Sequence, residues 1–358
     1  MLTLNTKRES GIELLKILSL FIIIICHVYS TFTTAINPAS NVAFFDETLF
    51  SPIEYFIYQI FITFGYIGNM IFFVCSSWFL IESKHNKLEK IISIWLNTLI
   101  ISILFLIIYY LLGYKVTTDI LIKCLFPIIN ENNWYITAYI MFYAIYPFVN
   151  IVLDKLDKKK HLFISITLFL MYFVIDYFFI EKAFYKNDLI MFVVIYVIVA
   201  YIKKYMNKFN ENISKNIILL IVSLIIFYAI IYVNFAIMPI NIKWHVLNNP
   251  FFLLIAITLI NIFVKIKIKS SIINTVSALS LYVYLIHDNI LFRDSIRSEL
   301  VIKYIELMGV NLVPIKILSF SILLFVSCLI ISYVYCHING FINKISDNIK
   351  SLLTKKFV

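Results

Sequence analysis

Charged side chains are scarce in this sequence. Asp, Glu, Lys and Arg make up 14% of the 358 residues, whereas hydrophobic residues make up 62%. A soluble globular domain carries about 25% charged residues, so the composition excludes such a domain and predicts a polytopic membrane protein. Glycine and proline are also scarce, with six and seven residues, which leaves little room for flexible linkers. We expect one integral-membrane domain over residues 1–358, with residues 339–358 as a short basic cytoplasmic tail.

The familiar motifs of soluble enzymes are missing as well. The sequence has no glycine-rich phosphate loop, no Gly-x-Ser-x-Gly nucleophile motif and no zinc-ligand spacing. Its five cysteines lie mostly inside apolar runs and show no paired spacing. We therefore expect neither a disulfide nor a metal site.

Long apolar runs bounded by polar loops predict an all-α transmembrane bundle of about ten spans. The predicted spans are residues 12–35, 53–82, 88–112, 134–153, 162–180, 188–203, 216–238, 250–267, 276–296 and 313–338. Lysines concentrate in alternate loops, and cytoplasmic loops carry the excess of basic residues, so both termini are predicted to be cytoplasmic. The net charge of +10 then reflects topology and contact with anionic lipid, and no nucleic-acid partner is expected.

The first predicted span carries three ionisable residues, Glu13, Lys16 and His27. Such groups are costly in the hydrocarbon and suggest a functional site by default. Lys16 and His27 are eleven residues apart, which puts them on one helix face about 16 Å apart along the axis. Glu13 is close enough along the helix to pair with Lys16. This polar face is expected to point into the protein.

Each of these residues also has a purely structural interpretation. His27 can be satisfied by a neighbouring helix, and Lys16 can extend its amine to the lipid headgroups. A neutral imidazole, however, can accept a proton from an alcohol near physiological pH, and Lys16 can bind a phosphate or a carbonyl that enters from the cytoplasm. Because the three residues share one face, we favour the functional interpretation, with His27 as the catalytic residue.

Two lysines, Lys87 and Lys90, precede the third span in the segment NKLEK. Cations three residues apart share a helix face and can hold a phosphate. The alternative is that they are ordinary topology-determining charges. The sequence alone leaves both interpretations open.

The ninth predicted span contains a second intramembrane histidine. Ser280, Tyr284 and His287 fall on one helical face, and Asn289 and Arg293 follow toward the outer surface. We expect such a polar face to point away from lipid and toward a functional site; interhelical hydrogen bonding is the structural alternative. Trp134 directly follows the predicted outer loop 113–133, and a tryptophan there suits a membrane interface.

In this order the segments resemble acyltransferase family 3, the integral-membrane acyltransferases that modify cell-surface glycans. Lys16, ten residues and His27 match the family's basic-x10-His pattern, with Lys instead of the commoner Arg. Residues 87–90, KLEK, lie where many members carry Arg-x-x-Arg. The segments NMIFFVCSSWFLIE, NNWYITAYIMFYAIYPFVN and SLYVYLIHDNILFR resemble later family segments. The resemblance covers essentially the whole chain. The segments YLIHDN and WYITAY are similar to those of capsular or surface-polysaccharide O-acetyltransferases of low-GC Gram-positive bacteria.

The resemblance implies acetyl transfer in the plasma membrane of a bacterium, from acetyl-CoA as co-substrate, with no permanently bound cofactor. The residues it implies for the acyl donor are Glu13, Lys16, Lys87 and Lys90. Those implied for the acceptor side, or as structural polar groups, are Trp134, Tyr139, Ser280, Tyr284, His287, Asn289 and Arg293. The expected partners are the lipid bilayer, acyl-CoA, a glycan acceptor and polysaccharide-synthesis machinery. Lysine in place of arginine keeps the charge but loses the bidentate fork.

Two other classes explain a polytopic bundle with buried charges. A transporter or flippase for a polysaccharide intermediate predicts no dependence on CoA. A non-enzymatic scaffold of a glycan-synthesis complex predicts that changes at Glu13, Lys16 and His27 are harmless once the protein inserts. Neither class accounts for the ordered set of motifs.

Overall fold

The structure, a computed structural model, describes residues 10–36, 52–83, 88–129, 133–178, 187–236, 247–309 and 312–356. Within these ranges the regular elements are all helical, which confirms the predicted all-α polytopic bundle. The helices are α1 Gly11–Ile36, α2 Pro52–Leu80, α3 Leu88–Leu111, α4 Thr118–Leu125, α5 Trp134–Asp154, α6 Lys158–Phe169, α7 Asp176–Phe178, α8 Asp188–Tyr205, α9 Asn207–Glu211, α10 Ile213–Ala236, α11 Pro250–Val264, α12 Ser271–Ala278, α13 Ser280–His287, α14 Arg297–Met308 and α15 Val313–Lys356. Two π-helical segments, Leu170–Ile175 and Phe292–Ile296, precede α7 and α14.

Six of the ten predicted spans correspond to helices that are long and apolar enough to cross a membrane. Within the described ranges these are α1, α2, α3, α5, α10 and α15. The predicted sixth span is α8, which has 18 residues, and the predicted eighth span is α11, which has 15. The predicted fifth span combines α6, a π-helical segment and α7. The count of ten complete crossings therefore stays a prediction.

The predicted ninth span, residues 276–296, is broken in its middle. Helix α13 ends at His287, and the Asn289 Oδ1 accepts the backbone N–H of Leu291 at 3.1 Å, which starts the next helical segment. Asp288 and Asn289 at the break are both only 3% exposed. Non-helical backbone at membrane depth is tolerated where protein buries it, and a break of this kind brings the polar side chain of Asp288 into the interior.

Helix α1 lies at the centre of the bundle. It packs against α2 most extensively, and also against α11, α12, α13, α14 and α15. Glycines on α2 permit the close approach: a Cβ at Gly68 would lie 2.7 Å from the Ser19 carbonyl oxygen, and one at Gly65 would lie 2.6 Å from the Cys26 Sγ. Small residues at such crossings let helix backbones come together in a membrane.

The beginning of α1 is fixed to the chain segment before α12. The backbone N–H of Ser10 donates to the Ile268 carbonyl at 2.8 Å, and the Ser10 Oγ accepts the N–H of Ser270 at 3.0 Å. The Lys16 end of α1 and the predicted cytoplasmic loop that carries Lys265 and Lys269 therefore share one end of the bundle. This arrangement is what the charge-based topology requires, although the side of the membrane stays a prediction.

Candidate active site

His27 on α1 forms a pair with His287 on α13. The His27 Nδ1 lies 3.2 Å from the His287 Nε2, and the His287 Nδ1 lies 2.9 Å from the Val283 carbonyl oxygen. A carbonyl only accepts, so the His287 Nδ1 carries a proton, and the Nε2 of the neutral ring accepts. The His27 Nδ1 must then donate to it. The hydrogen bonds thereby place the lone pair of a neutral His27 on its Nε2.

Asp288, at the break after α13, supplies the negative charge of this site. Its Oδ1 lies 3.6 Å from the His27 Nδ1 and 3.5 Å from the Arg293 Nη1. Its Oδ2 accepts the Tyr284 hydroxyl at 3.1 Å. A proton taken up by the His27 Nε2 would make an imidazolium that faces this buried carboxylate. A buried carboxylate beside a histidine orients the ring and stabilises its charged form.

Arg297 completes the cluster, and the sequence analysis did not single it out. It is 3% exposed, and its Nε donates to the Thr31 Oγ1 at 2.8 Å while its Nη1 donates to the His287 carbonyl at 3.3 Å. The guanidinium therefore ties the end of α13 to α1, one turn beyond His27. The sequence signal that could have identified Arg297 is its position four residues after Arg293, just beyond an apolar run.

His27 lines a cavity of about 390 Å³, which we call the histidine cavity. Tyr66 and Asn69 from α2, Trp134 from α5 and Asp188 from α8 also line it. Trp134 was predicted for the acceptor side, whereas Tyr66, Asn69 and Asp188 were not predicted. Together with His27, these residues come from α1, α2, α5 and α8, which are distant in the sequence, so sequence spacing gave no indication that they meet.

A second cavity, of about 350 Å³, contains Lys16 and Lys90, and we call it the lysine cavity. The Lys90 Nζ lies 4.6 Å from the centre of the Tyr143 ring, a distance typical of a cation–π contact. Lys87 falls outside the described residues. Tyr139, Ser280 and Tyr284, which the resemblance implied for the acceptor side or for structure, line this cavity.

Glu13 and Lys16 form the predicted pair, with the Lys16 Nζ 3.4 Å from the Glu13 Oε2. Glu13 is 3% exposed, and the same oxygen accepts a short hydrogen bond from the Ser277 hydroxyl. Lys16 also lies over the ring of Phe79, at 5.0 Å from its centre. These contacts hold the amine at the edge of the lysine cavity.

The remaining predicted residues form the support of the site. His287 holds His27, Tyr284 binds Asp288, and Asn289 starts the next helical segment. Arg293 lies between two carboxylates, Asp288 and Asp294, with its Nε 2.7 Å from the Asp294 Oδ1. Of the predicted acceptor-side set, His287 contacts His27 directly, whereas Tyr284 and Arg293 contact Asp288.

The fold and the site define a polytopic membrane protein in which an oriented histidine lines one of two polar cavities. Residues 9–337 match the sequence profile of acyltransferase family 3, whose description is acyltransferase domain. The chain belongs to this family and is a membrane acyltransferase, as the sequence resemblance predicted. No curated protein and no solved structure matches the chain significantly.

Proposed function

We propose that this protein moves an acetyl group from cytoplasmic acetyl-CoA to a hydroxyl of a cell-surface or capsular polysaccharide, or of its lipid-linked precursor. The proposal places the protein in the plasma membrane of a bacterium. Membership of the family supports acyl transfer, and the acetyl group, the CoA donor and the glycan acceptor follow from the resemblance of the motifs.

The observation that carries the proposal is the hydrogen-bonded arrangement of His27, His287 and Asp288. It leaves the His27 Nε2 as a base at the wall of a cavity. In the first route, this nitrogen takes the proton of the acceptor hydroxyl while the oxygen attacks the thioester carbon. The CoA sulfur then leaves and receives that proton. In the second route, the same nitrogen attacks the thioester carbon and the CoA thiolate leaves. The acceptor oxygen then attacks the acyl carbon, His27 is released as neutral imidazole, and the hydroxyl proton passes to the thiolate.

The lysine cavity suits the donor. Phosphates of CoA are anionic, and Lys16 and Lys90 place two ammonium groups around one cavity. Lys87, three residues before Lys90 in the sequence, is proposed to contribute a third. In the predicted topology this end of α1 is cytoplasmic, which is where acetyl-CoA is made and held.

The histidine cavity suits a sugar acceptor. Trp134 and Tyr66 provide aromatic faces for the C–H surface of a pyranose ring, and Asn69 and Asp188 can bind its hydroxyls. Pockets of this kind combine apolar walls with a few polar groups that fix the orientation of the ligand. Ser30 and Cys26 complete the edge beside His27.

The test compares O-acetyl content of surface polysaccharide in the parent strain, a deletion strain and a His27→Ala strain matched for membrane abundance. Loss of acetylation in both altered strains, with continued export of polymer, supports the transferase. If the deletion stops export and His27→Ala changes nothing, the protein is instead a transporter. Purified protein gives a direct check, because only the transferase releases free CoA thiol from acetyl-CoA in the presence of acceptor.

A further inference from the structure

Neighbouring aromatic residues line the two cavities, and we call Trp134, Tyr135 and Tyr284 the aromatic wall. Trp134 lines the histidine cavity, and the next residue, Tyr135, lines the lysine cavity. Tyr284 also lines the lysine cavity, its ring lies 5.5 Å from that of His287, and its hydroxyl binds Asp288. A group held against this wall from the lysine side therefore lies next to the residues that support His27.

Tyr135 is held rigidly in this wall. The residue is 4% exposed, and its ring centre lies 5.8 Å from those of Phe72 and Tyr284 and 5.4 Å from that of Phe192. Contacts on several sides fix the direction of its hydroxyl. A donor that is already oriented requires no reorganisation when a ligand arrives.

The Tyr135 hydroxyl nevertheless has no hydrogen-bond partner among the described residues. Buried hydroxyls are normally paired, and an unpaired one is costly enough to need an explanation. The Ser280 hydroxyl, also in the lysine cavity, is likewise unpaired within the described part of the chain. Two such groups in one cavity indicate that a ligand supplies the missing acceptors.

We propose that the Tyr135 hydroxyl donates a hydrogen bond to the carbonyl oxygen of the acyl thioester and stabilises the negative charge that develops there. This assignment rests on the proposed function. When the acceptor oxygen or the His27 Nε2 bonds to the carbonyl carbon, the carbonyl electron pair moves to its oxygen, which Tyr135 binds. The pair returns as the carbon–sulfur bond breaks, and Tyr135 keeps its proton throughout.

The neighbouring hydroxyls are less suited to this role. The Tyr284 hydroxyl already donates to the Asp288 Oδ2 at 3.1 Å. Ser280 lies one helical turn before Tyr284, about 6 Å further from His287 along α13, where it can bind an amide of the pantetheine arm. Tyr135 is thus the donor that combines a free proton with a position at the wall.

The kinetic test uses Tyr135→Phe, which keeps the ring and removes only the hydroxyl. Loss of an oxyanion donor lowers kcat by about 100-fold, so we expect a loss of that order with little change in KM for acetyl-CoA. Tyr58→Phe is the matched control, since Tyr58 is fully buried on α2 and lines neither cavity. A Tyr135→Phe protein with normal kcat overturns the assignment.

A binding test separates this role from a structural one. It compares an uncleavable ketone analogue of acetyl-CoA, with methylene in place of sulfur, and an analogue in which the carbonyl is also a methylene. We expect the parent protein to prefer the ketone by about tenfold, the value of one hydrogen bond, and Tyr135→Phe to show no preference. If the variant keeps the preference, Tyr135 does not bind the carbonyl.

These measurements distinguish the two proposals. If the parent protein releases no CoA thiol and binds neither analogue, the proposed function fails, and the role of Tyr135 fails with it. If the parent protein is active and prefers the ketone while Tyr135→Phe behaves identically, only the role of Tyr135 is wrong.

Discussion

The histidine cavity and the lysine cavity differ in how their polar groups are held. At the histidine cavity, other side chains of the protein orient His27. Its Nδ1 lies 3.2 Å from the His287 Nε2 and 3.6 Å from the Asp288 Oδ1. At the lysine cavity, the hydroxyls of Tyr135 and Ser280 have no hydrogen-bond partner among the described residues. If the proposed function is right, the base is organised before any substrate binds, whereas the donor completes the contacts in the lysine cavity. Changes at the histidine pair and at Tyr135 should then lower kcat, whereas changes at the lysines that anchor the donor should raise KM.

The largest effect is expected for His27→Ala. Removal of the general base costs about 100- to 10,000-fold in rate, so acetylation should fall to background while the protein still inserts. His337→Ala is the control, because that histidine lies far along α15 and lines neither cavity. The measurement is CoA thiol release by purified protein. Residual activity within tenfold of the parent would exclude His27 as the base.

A slightly smaller loss is expected for Asp288→Asn, which keeps the shape of the side chain and removes its charge. The imidazolium of His27 would lose its counter-charge, so kcat should fall by about 100-fold with KM for acetyl-CoA nearly unchanged. Membrane abundance and thermal unfolding must be measured in parallel, since Arg297 is buried nearby. An unchanged kcat in a normally folded variant would show that His287 alone supports His27.

A change at a lysine that anchors the donor should act on binding instead. Lys90→Ala is expected to raise KM for acetyl-CoA by about fivefold, the value of an exposed charge pair, and to leave kcat nearly unchanged. Lys269→Ala is the control, because Lys269 lies at the same end of the bundle but lines neither cavity, and it should change neither constant. If Lys90→Ala lowers kcat without raising KM, Lys90 does not anchor the donor.

The smallest effect on chemistry is expected for Gly68→Ala. The added methyl would overlap the Ser19 carbonyl region, so α1 and α2 must separate slightly, at a cost of about 1–3 kcal/mol. We expect a lower unfolding temperature in detergent with most activity retained at low temperature. Leu104→Ala, on a lipid-facing position of α3, is the control. A large activity loss with normal stability would instead place Gly68 in the site.

The sequence predicted the site best where the functional residues lie on a single helix. The polar face of α1 was predictable because Glu13, Lys16 and His27 share one helix with a known rise and turn. His287 was found for the same reason, as an ionisable group in an apolar run. Its contact with His27 was not predicted, because 260 residues separate the two positions.

The features that were not predicted depend on contacts between helices that are distant in the sequence. Tyr66 and Asn69 on α2 and Asp188 on α8 come together with His27 only in the folded chain. The helix break at Asp288 was not predicted, because the residues on both sides of it are apolar enough to resemble one continuous membrane span. The assignment of Ser280 and Tyr284 to a particular cavity likewise required the packing of α13 against its neighbours, which hydrophobic periodicity does not specify.

One consequence follows from α1 carrying a residue of each cavity. Lys16 and His27 belong to one uninterrupted helix, so their separation of about three turns, about 16 Å, is a fixed length. A donor anchored by its phosphates near Lys16 reaches His27 only if the arm to its thioester is long enough to cover that length. Short thioesters without a nucleotide should therefore react poorly even at high concentration. The length of α1 between Lys16 and His27 would then determine which donors can react.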